Sequence, residues 1–141
     1  MEEVRVAVVG VGHFGRLHAE KYRSLPGVRL LGVVDADRER AVEIAGPLGV
    51  EAFTTLDEIV GRVDAVSVAV PTRAHFDVAS ASLKAGIHCL IEKPIAETVE
   101  QAAALVRLAK ERNRLLQVGH LVRFDAAREA MTGLIDAPLF I

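Results

Sequence analysis

Tryptophan is absent from this chain and aromatic residues make up only 4% of it, although 51% of its residues are hydrophobic. Its core must be built from Val, Leu, Ile and Ala, as buried parallel strands covered by helices prefer. The single cysteine, Cys89, excludes an internal disulfide and supplies no zinc cluster, so no metal site is expected. An excess of positive charge is also missing. The 17 Lys and Arg face 19 Asp and Glu, and no basic cluster breaks the balance. That argues against a general nucleic-acid surface. No apolar run reaches the roughly 18 residues of a membrane span. The N-terminus enters a strand pattern directly, without a secretory signal. The resulting expectation is a soluble cytoplasmic protein of one domain, with no nucleic-acid or membrane partner.

What is present is concentrated between Val4 and Asp35. Val4, Val6, Val8 and Val9 form a short β-branched run that stops at Gly10-Val11-Gly12-His13-Phe14-Gly15. Helix-compatible sequence follows, then a second apolar run from Val28 to Val34 that ends at Asp35. Strand, glycine turn, helix, strand and acid form the dinucleotide-binding fingerprint in its required context. Gly10 permits the tight turn, Gly12 lets the backbone approach a pyrophosphate, and Gly15 lets the helix pack close to the strand. Amide groups left unpaired at the helix end then face the anion. There the backbone N–H of His13 matters more than its imidazole. Asp35 lies where a carboxylate accepts hydrogen bonds from the adenosine ribose and repels a 2′-phosphate. NAD is therefore expected over NADP, unless Asp35 points elsewhere and Arg38 takes the phosphate.

The remaining chain keeps a βαβ rhythm. The first helix is expected from His13 to Leu25, with Phe14, Leu17, Tyr22 and Leu25 inward, and Pro26-Gly27 ends it. Asp37 can cap a second helix closed by Gly46, Pro47 and Gly49. Short strands are expected at Glu51–Phe53, Ala65–Val70, His88–Ile91 and Leu115–Val118. A brief helix starts at the capping-box pair Thr55 and Glu58, and a longer one spans Ala74 to Lys84. Thr98 and Gln101 open a helix whose inward stripe reads Val99, Ala102, Ala103, Val106 and Ala109. This is an α/β fold with one doubly wound parallel sheet. After Gly119 come a loop at His120 to Arg123, a helix from Asp125 to Ile135, and a strand start at Pro138–Ile141. These last residues are expected to self-associate or to remain disordered, since an apolar strand with a free edge pairs with other chains.

Ligands of open α/β sheets bind outside the carboxyl ends of the strands. Three polar groups fall there: Pro71-Thr72 with His75, Glu92-Lys93-Pro94, and His120 with Arg123. A lysine directly after a buried strand can meet a nicotinamide ring and a substrate hydroxyl together, and can steady an alkoxide as hydride leaves. The alternative is a solvated Lys93 paired with Glu92. His75 reads as part of the opening turn of a surface helix more readily than as a site residue. His18 and His88 show no partner pattern, and Cys89 reads as a small apolar core residue.

These residues resemble the N-terminal domain of the Gfo/Idh/MocA oxidoreductases. The glycine turn, Asp35, Val70-Pro71-Thr72 with His75, Glu92-Lys93-Pro94, and Val118-Gly119-His120 with Arg123-Phe124 come in the family's order and approximate spacing. The resemblance covers essentially all 141 residues. It implies a Rossmann fold and an NAD cofactor. Cofactor contacts would come from Gly10, Gly12, His13, Phe14, Gly15, Asp35, Arg38, Pro71, Thr72, His75, Glu92 and Lys93. Lys93 and His120 would be the catalytic pair, and a cis peptide would precede Pro94. Many members carry Asn where this chain has Thr72, which leaves no side-chain amide there. Gly12-His13-Phe14-Gly15-Arg16 with His18, and Gln117–His120 with Arg123-Phe124, are most similar to sugar-nucleotide 3-dehydrogenases acting on UDP-N-acetylglucosamine or its uronate.

The resemblance thus implies an NAD-dependent dehydrogenase that oxidises a secondary hydroxyl of a sugar or UDP-sugar, in a homo-oligomer. Residues 1–119 would form the NAD-binding domain. Residues 120–141 would form a linker helix and the start of a substrate domain whose remainder is absent from these 141 residues, which alone would be inactive. The alternative is a stand-alone NAD-binding regulatory or interaction module without catalysis.

Overall fold

The apolar runs form strands β1 (Val4–Val9), β2 (Val28–Val34), β3 (Glu51–Phe53), β4 (Ala65–Val68), β5 (His88–Ile91) and β6 (Leu116–Val118). The computed structural model describes residues 3–126, and among these the six strands make one sheet in the order β3-β2-β1-β4-β5-β6. Every neighbouring pair is parallel. Strand order reverses between β1 and β4, and at that reversal the carboxyl ends open a crevice. The expected doubly wound sheet is therefore present.

Alternation along β1 sends side chains to opposite faces. Val6 and Val8 join Ala19, Leu30, Val33, Ala41 and Ala45 in one buried layer. Ala7 and Val9 join Val66, Val68, Leu83, Ile91 and Leu105 in the other. The first layer lies under helices α1 (His13–Ser24) and α2 (Arg38–Leu48), the second under α3 (Thr72–Lys84) and α4 (Val99–Glu111). No helix among the described residues is long and apolar enough to cross a membrane.

Several local expectations are corrected. α1 buries Gly15 and Ala19, while Phe14, Leu17 and Leu25 are exposed and Tyr22 is half-buried. Small side chains on the inner face let the helix lie close to the sheet, and the larger ones are left outside. Asp37 does cap α2, accepting from the amides of Glu39 and Arg40. That helix continues through Gly46 and Pro47, however, and ends in left-handed Gly49. The buried residues of α4 are Leu105 and Ala109, whereas Val99 and Val106 point outward. This helix is apolar on more than one face, and packing against β6 and α3 selects the stripe with the longer Leu105. β4 stops at Val68, and residues Leu121–Phe124 form a 3-10 turn where a loop was expected. Of the helix expected at Asp125–Ile135 only Asp125 and Ala126 are described. The strand start at Pro138–Ile141 and the self-association through it lie outside the described residues.

Candidate cofactor and catalytic site

The glycine turn links β1 to α1 by close backbone contact. Gly10 has φ +83°, and a Cβ there would lie 2.7 Å from the amide nitrogen of Val70. A Cβ on Gly15 would overlap the Gly10 carbonyl oxygen, so helix and turn touch backbone to backbone. Gly12 differs, because a Cβ there would meet nothing within 4 Å. It is also the N-cap of α1 and provides no side-chain cap, leaving the first-turn amides to an outside acceptor. The sequence thus closes the turn at two glycines and opens it at the third. That is the cradle a pyrophosphate requires.

Asp35 holds this turn from the end of β2. It is buried, 8% exposed, and accepts from the Val11 amide at 3.0 Å and the Asp37 amide at 2.9 Å. Arg40 Nη1 lies 3.2 Å from Oδ1 of the same carboxylate. The basic partner is therefore Arg40, one turn into α2. Arg38, the residue named from sequence, is exposed at the head of that helix. Two amides and a guanidinium occupy most of the carboxylate's acceptor positions. Arg40 is half-exposed and also pairs with Asp37 at 3.3 Å. Gly10, Gly12, His13, Phe14, Asp35 and Pro71 all border one cleft of about 620 Å³, with Arg40 at its rim. This size and a mainly apolar wall with few polar groups suit a cofactor site.

On the far side of the crevice, Pro71 precedes α3 and Thr72 is its first residue. His75, expected on a surface turn, is 1% exposed. Its Nδ1 lies 2.8 Å from the Pro94 carbonyl and its Nε2 2.9 Å from the Val70 carbonyl. The imidazole sits between the end of β4 and the loop after β5, against a carbonyl of each. It shapes that loop from behind and does not border the cleft.

Glu92 and Lys93 follow β5, and the Lys93–Pro94 peptide is cis, as the resemblance implied. Glu92 is buried and turned inward, with Oε1 2.9 Å from His18 Nε2. Its other oxygen accepts from the Lys93 amide at 3.3 Å. Lys93 itself is exposed, and its ammonium makes no ion pair among the described residues. The Glu92–Lys93 pair posed as an alternative is therefore not formed.

His120 is exposed two residues beyond Val118, and Lys93 is exposed two residues beyond Ile91. Ile91 and Val118 are paired positions of neighbouring strands, so Lys93 and His120 both follow the same end of the sheet. Between them, the Gly119 amide donates to the Ile91 carbonyl at 2.7 Å. Sequence reasoning found no partner pattern for His18, which the structure supplies. Ser67, a hydroxyl inside the apolar run Ala65–Val70, was the available signal, since a buried hydroxyl needs a partner. His18 and Tyr22, four residues apart on one helix face, supply it. His88 also has a partner, because its Nδ1 accepts from the Leu115 amide at 2.8 Å. Cys89 is buried as expected, and burial pushes its thiol up to about 12.

Comparison with known proteins places this geometry among relatives. Residues 4–120 match the Gfo/Idh/MocA oxidoreductase family, described as having an NAD-binding Rossmann fold. The chain is 46% identical over 127 residues to a UDP-N-acetylglucosamine 3-dehydrogenase of Acidithiobacillus ferrooxidans, covering 90% of this chain and 40% of that protein. A solved structure of the A. ferrooxidans enzyme superposes with a TM-score of 0.88 at 43% identity, over 96% of this chain and 44% of the other. GenD2 from gentamicin A biosynthesis, solved in complex with NAD, gives a TM-score of 0.81 at 37% identity, over 84% of this chain and 34% of the other. The chain spans about 40% of the length of the curated relatives it matches.

Proposed function

The chain belongs to the Gfo/Idh/MocA oxidoreductase family, with its NAD-binding Rossmann fold, and from this we propose that it serves a dehydrogenase acting on a secondary hydroxyl of a sugar or UDP-sugar. Residues 1–119 are its NAD-binding domain, and 120–141 lead toward a substrate domain. A homo-oligomer in the cytoplasm is part of the same reading. The observation that carries it is the cradle at Gly12, open above an uncapped helix end and bounded by Asp35.

NAD, when bound, supplies the hydride acceptor at its nicotinamide C4. The amides of the Gly10–Gly15 turn, with His13 and Phe14, would hold the pyrophosphate. Asp35 would accept from the adenosine ribose, with Arg40 and Arg38 on the neighbouring first turn of α2. Pro71, Thr72 and the loop against His75 would serve the nicotinamide half of the site, with Glu92 toward its ribose. The Lys93 ammonium, free of Glu92, meets the substrate hydroxyl and stabilises negative charge developing on its oxygen. His120, which follows the neighbouring strand β6, would take the proton away.

Titration of the 141-residue chain with NADH and NADPH, followed by nicotinamide fluorescence, tests the cofactor half of this reading. NADH should bind more tightly, because a 2′-phosphate would meet the Asp35 carboxylate. Equal or tighter NADPH binding would mean that Arg40 or Arg38 controls that end of the cleft. For the substrate half, the protein as its gene encodes it should reduce NAD with UDP-sugars or inositols.

A further inference from the structure

Behind the Glu92–Lys93 loop lies a connected line of four side chains. Tyr22 hydroxyl and Ser67 Oγ are 2.7 Å apart, Ser67 Oγ and His18 Nδ1 3.0 Å, and His18 Nε2 and Glu92 Oε1 2.9 Å. Ser67 is 1% exposed, and the His18 and Glu92 side chains are 12% and 9% exposed. No buried polar side-chain atom among the described residues lacks a partner. With a carboxylate at Glu92 and an unprotonated Nδ1 at His18, the whole line is satisfied by donation from His18 Nε2 to Glu92, from the Ser67 hydroxyl to Nδ1 and from Tyr22 to Ser67. The bond at one ring nitrogen thereby sets what the other presents, as an outer partner does for a metal-binding histidine.

The consequence falls on Lys93. Its backbone amide bonds Glu92 Oε2, so the carboxylate is attached to the residue whose ammonium it would otherwise neutralise. Gly119 closes the remaining side, since a Cβ there would be 3.1 Å from Glu92 Oε1. We propose that His18 is a positioning residue of the reaction: by holding Glu92 inward, it keeps the Lys93 ammonium available to the substrate oxygen. Tyr22 and Ser67 act through it, by fixing its tautomer and ring plane. This rests on the dehydrogenase reading above.

The test is a double-mutant cycle in the protein as its gene encodes it, assayed with NAD and UDP-N-acetylglucosamine, its uronate and inositols. His18→Leu should lower kcat by about 10–100-fold, the range seen when a supporting residue lets a reacting group move by about an ångström. KM for NAD should change by less than roughly threefold, because the pyrophosphate and adenosine contacts lie elsewhere. His18→Gln keeps an N–H donor for Glu92 and should restore much of the loss. In a Glu92→Gln background, where no carboxylate can capture Lys93, His18→Leu should cost less than about threefold. An equal cost in both backgrounds would overturn the proposal, as would unchanged kcat in His18→Leu.

Should His18→Leu fail to fold, Ser67→Ala decides the matter. It removes the bond that fixes the ring, should lower kcat less than His18→Leu does, and should lose that effect in the Glu92→Gln background. An effect of Ser67→Ala that persists there would refute the line of action through Glu92. A parent that turns over none of these substrates would overturn the dehydrogenase reading and the role of His18 with it. A parent that turns them over without any His18 effect would overturn the role of His18 alone.

Discussion

Alanine at Gly12 and alanine at Gly15 should have opposite consequences, although the two glycines are three residues apart in one turn. At Gly15 the new methyl group would overlap the Gly10 carbonyl oxygen. An ordinary contact begins at about 3.4 Å. The obstacle is backbone, so the start of α1 would have to retreat from β1. Overpacking of this kind costs about 1–3 kcal/mol when side chains can yield. Here little can yield, and the upper end of that range or more is expected. For a chain of this length 1 kcal/mol corresponds to roughly 3 °C in Tm, so Gly15→Ala should melt about 10 °C below the parent.

At Gly12 there is open space, and the backbone (φ −66°, ψ −158°) is one alanine adopts without strain. Lower chain entropy in the unfolded state favours alanine by about 0.4–1 kcal/mol. Weaker N-capping opposes it by a similar amount. Tm should therefore stay within about 2 °C of the parent. The methyl group would nevertheless stand where the pyrophosphate must approach. Loss of one charge-assisted amide bond, worth about 1.5–3 kcal/mol, weakens NADH binding by roughly 10–150-fold. Thermal melts and NADH fluorescence titrations of the two variants check both halves. A Gly12→Ala chain that binds NADH within twofold of the parent would show that Gly12 does not face the cofactor. A Gly15→Ala chain with the parent's Tm would refute the backbone contact.

Lys93→Met should lower turnover of the gene's full product by about 10²–10⁴-fold while NADH binding changes little, and near-normal turnover would return Lys93 to a solvated surface role. Cys89, its thiol raised to about 12 by burial, should resist Ellman's reagent at pH 8 in the folded chain and release one equivalent after denaturation. Asp64 binds the Arg5 guanidinium at 2.7 Å and the Arg5 amide at 2.8 Å, which hold its carboxyl below the usual range. Because a depressed carboxylate adds stability above its unfolded value near 4 and loses it as pH falls through the folded value, Asp64→Asn should destabilise at pH 7 and converge with the parent near pH 2. Both side chains are more than a third exposed and screened, so the loss should be about 1 kcal/mol or less, read from melts at the two pH values.

Local chemistry in the sequence determined the strand positions, the order of elements, the glycine turn and the placement of Asp35, Lys93 and His120 after strands. Each of these depends on a run, a turn or a cap formed by neighbouring residues, and such signals survive without knowledge of the partner. Asp37 before α2 and Thr98 before α4 belong to the same class, since a cap bonds amides two or three residues away. Tertiary structure decided which face of each helix is buried. α1 and α4 carry apolar residues on more than one side, and the sheet chose Ala19 over Leu17 and Leu105 over Val106. It also decided every polar pairing between distant segments. His18 meets Glu92 across 74 positions, and His75 meets Pro94 across 19. Asp35 reaches back 24 positions to Val11. A histidine in sequence carries no mark of its partner, because burial creates the need for one and only packing of α1 and α3 onto the sheet supplies it.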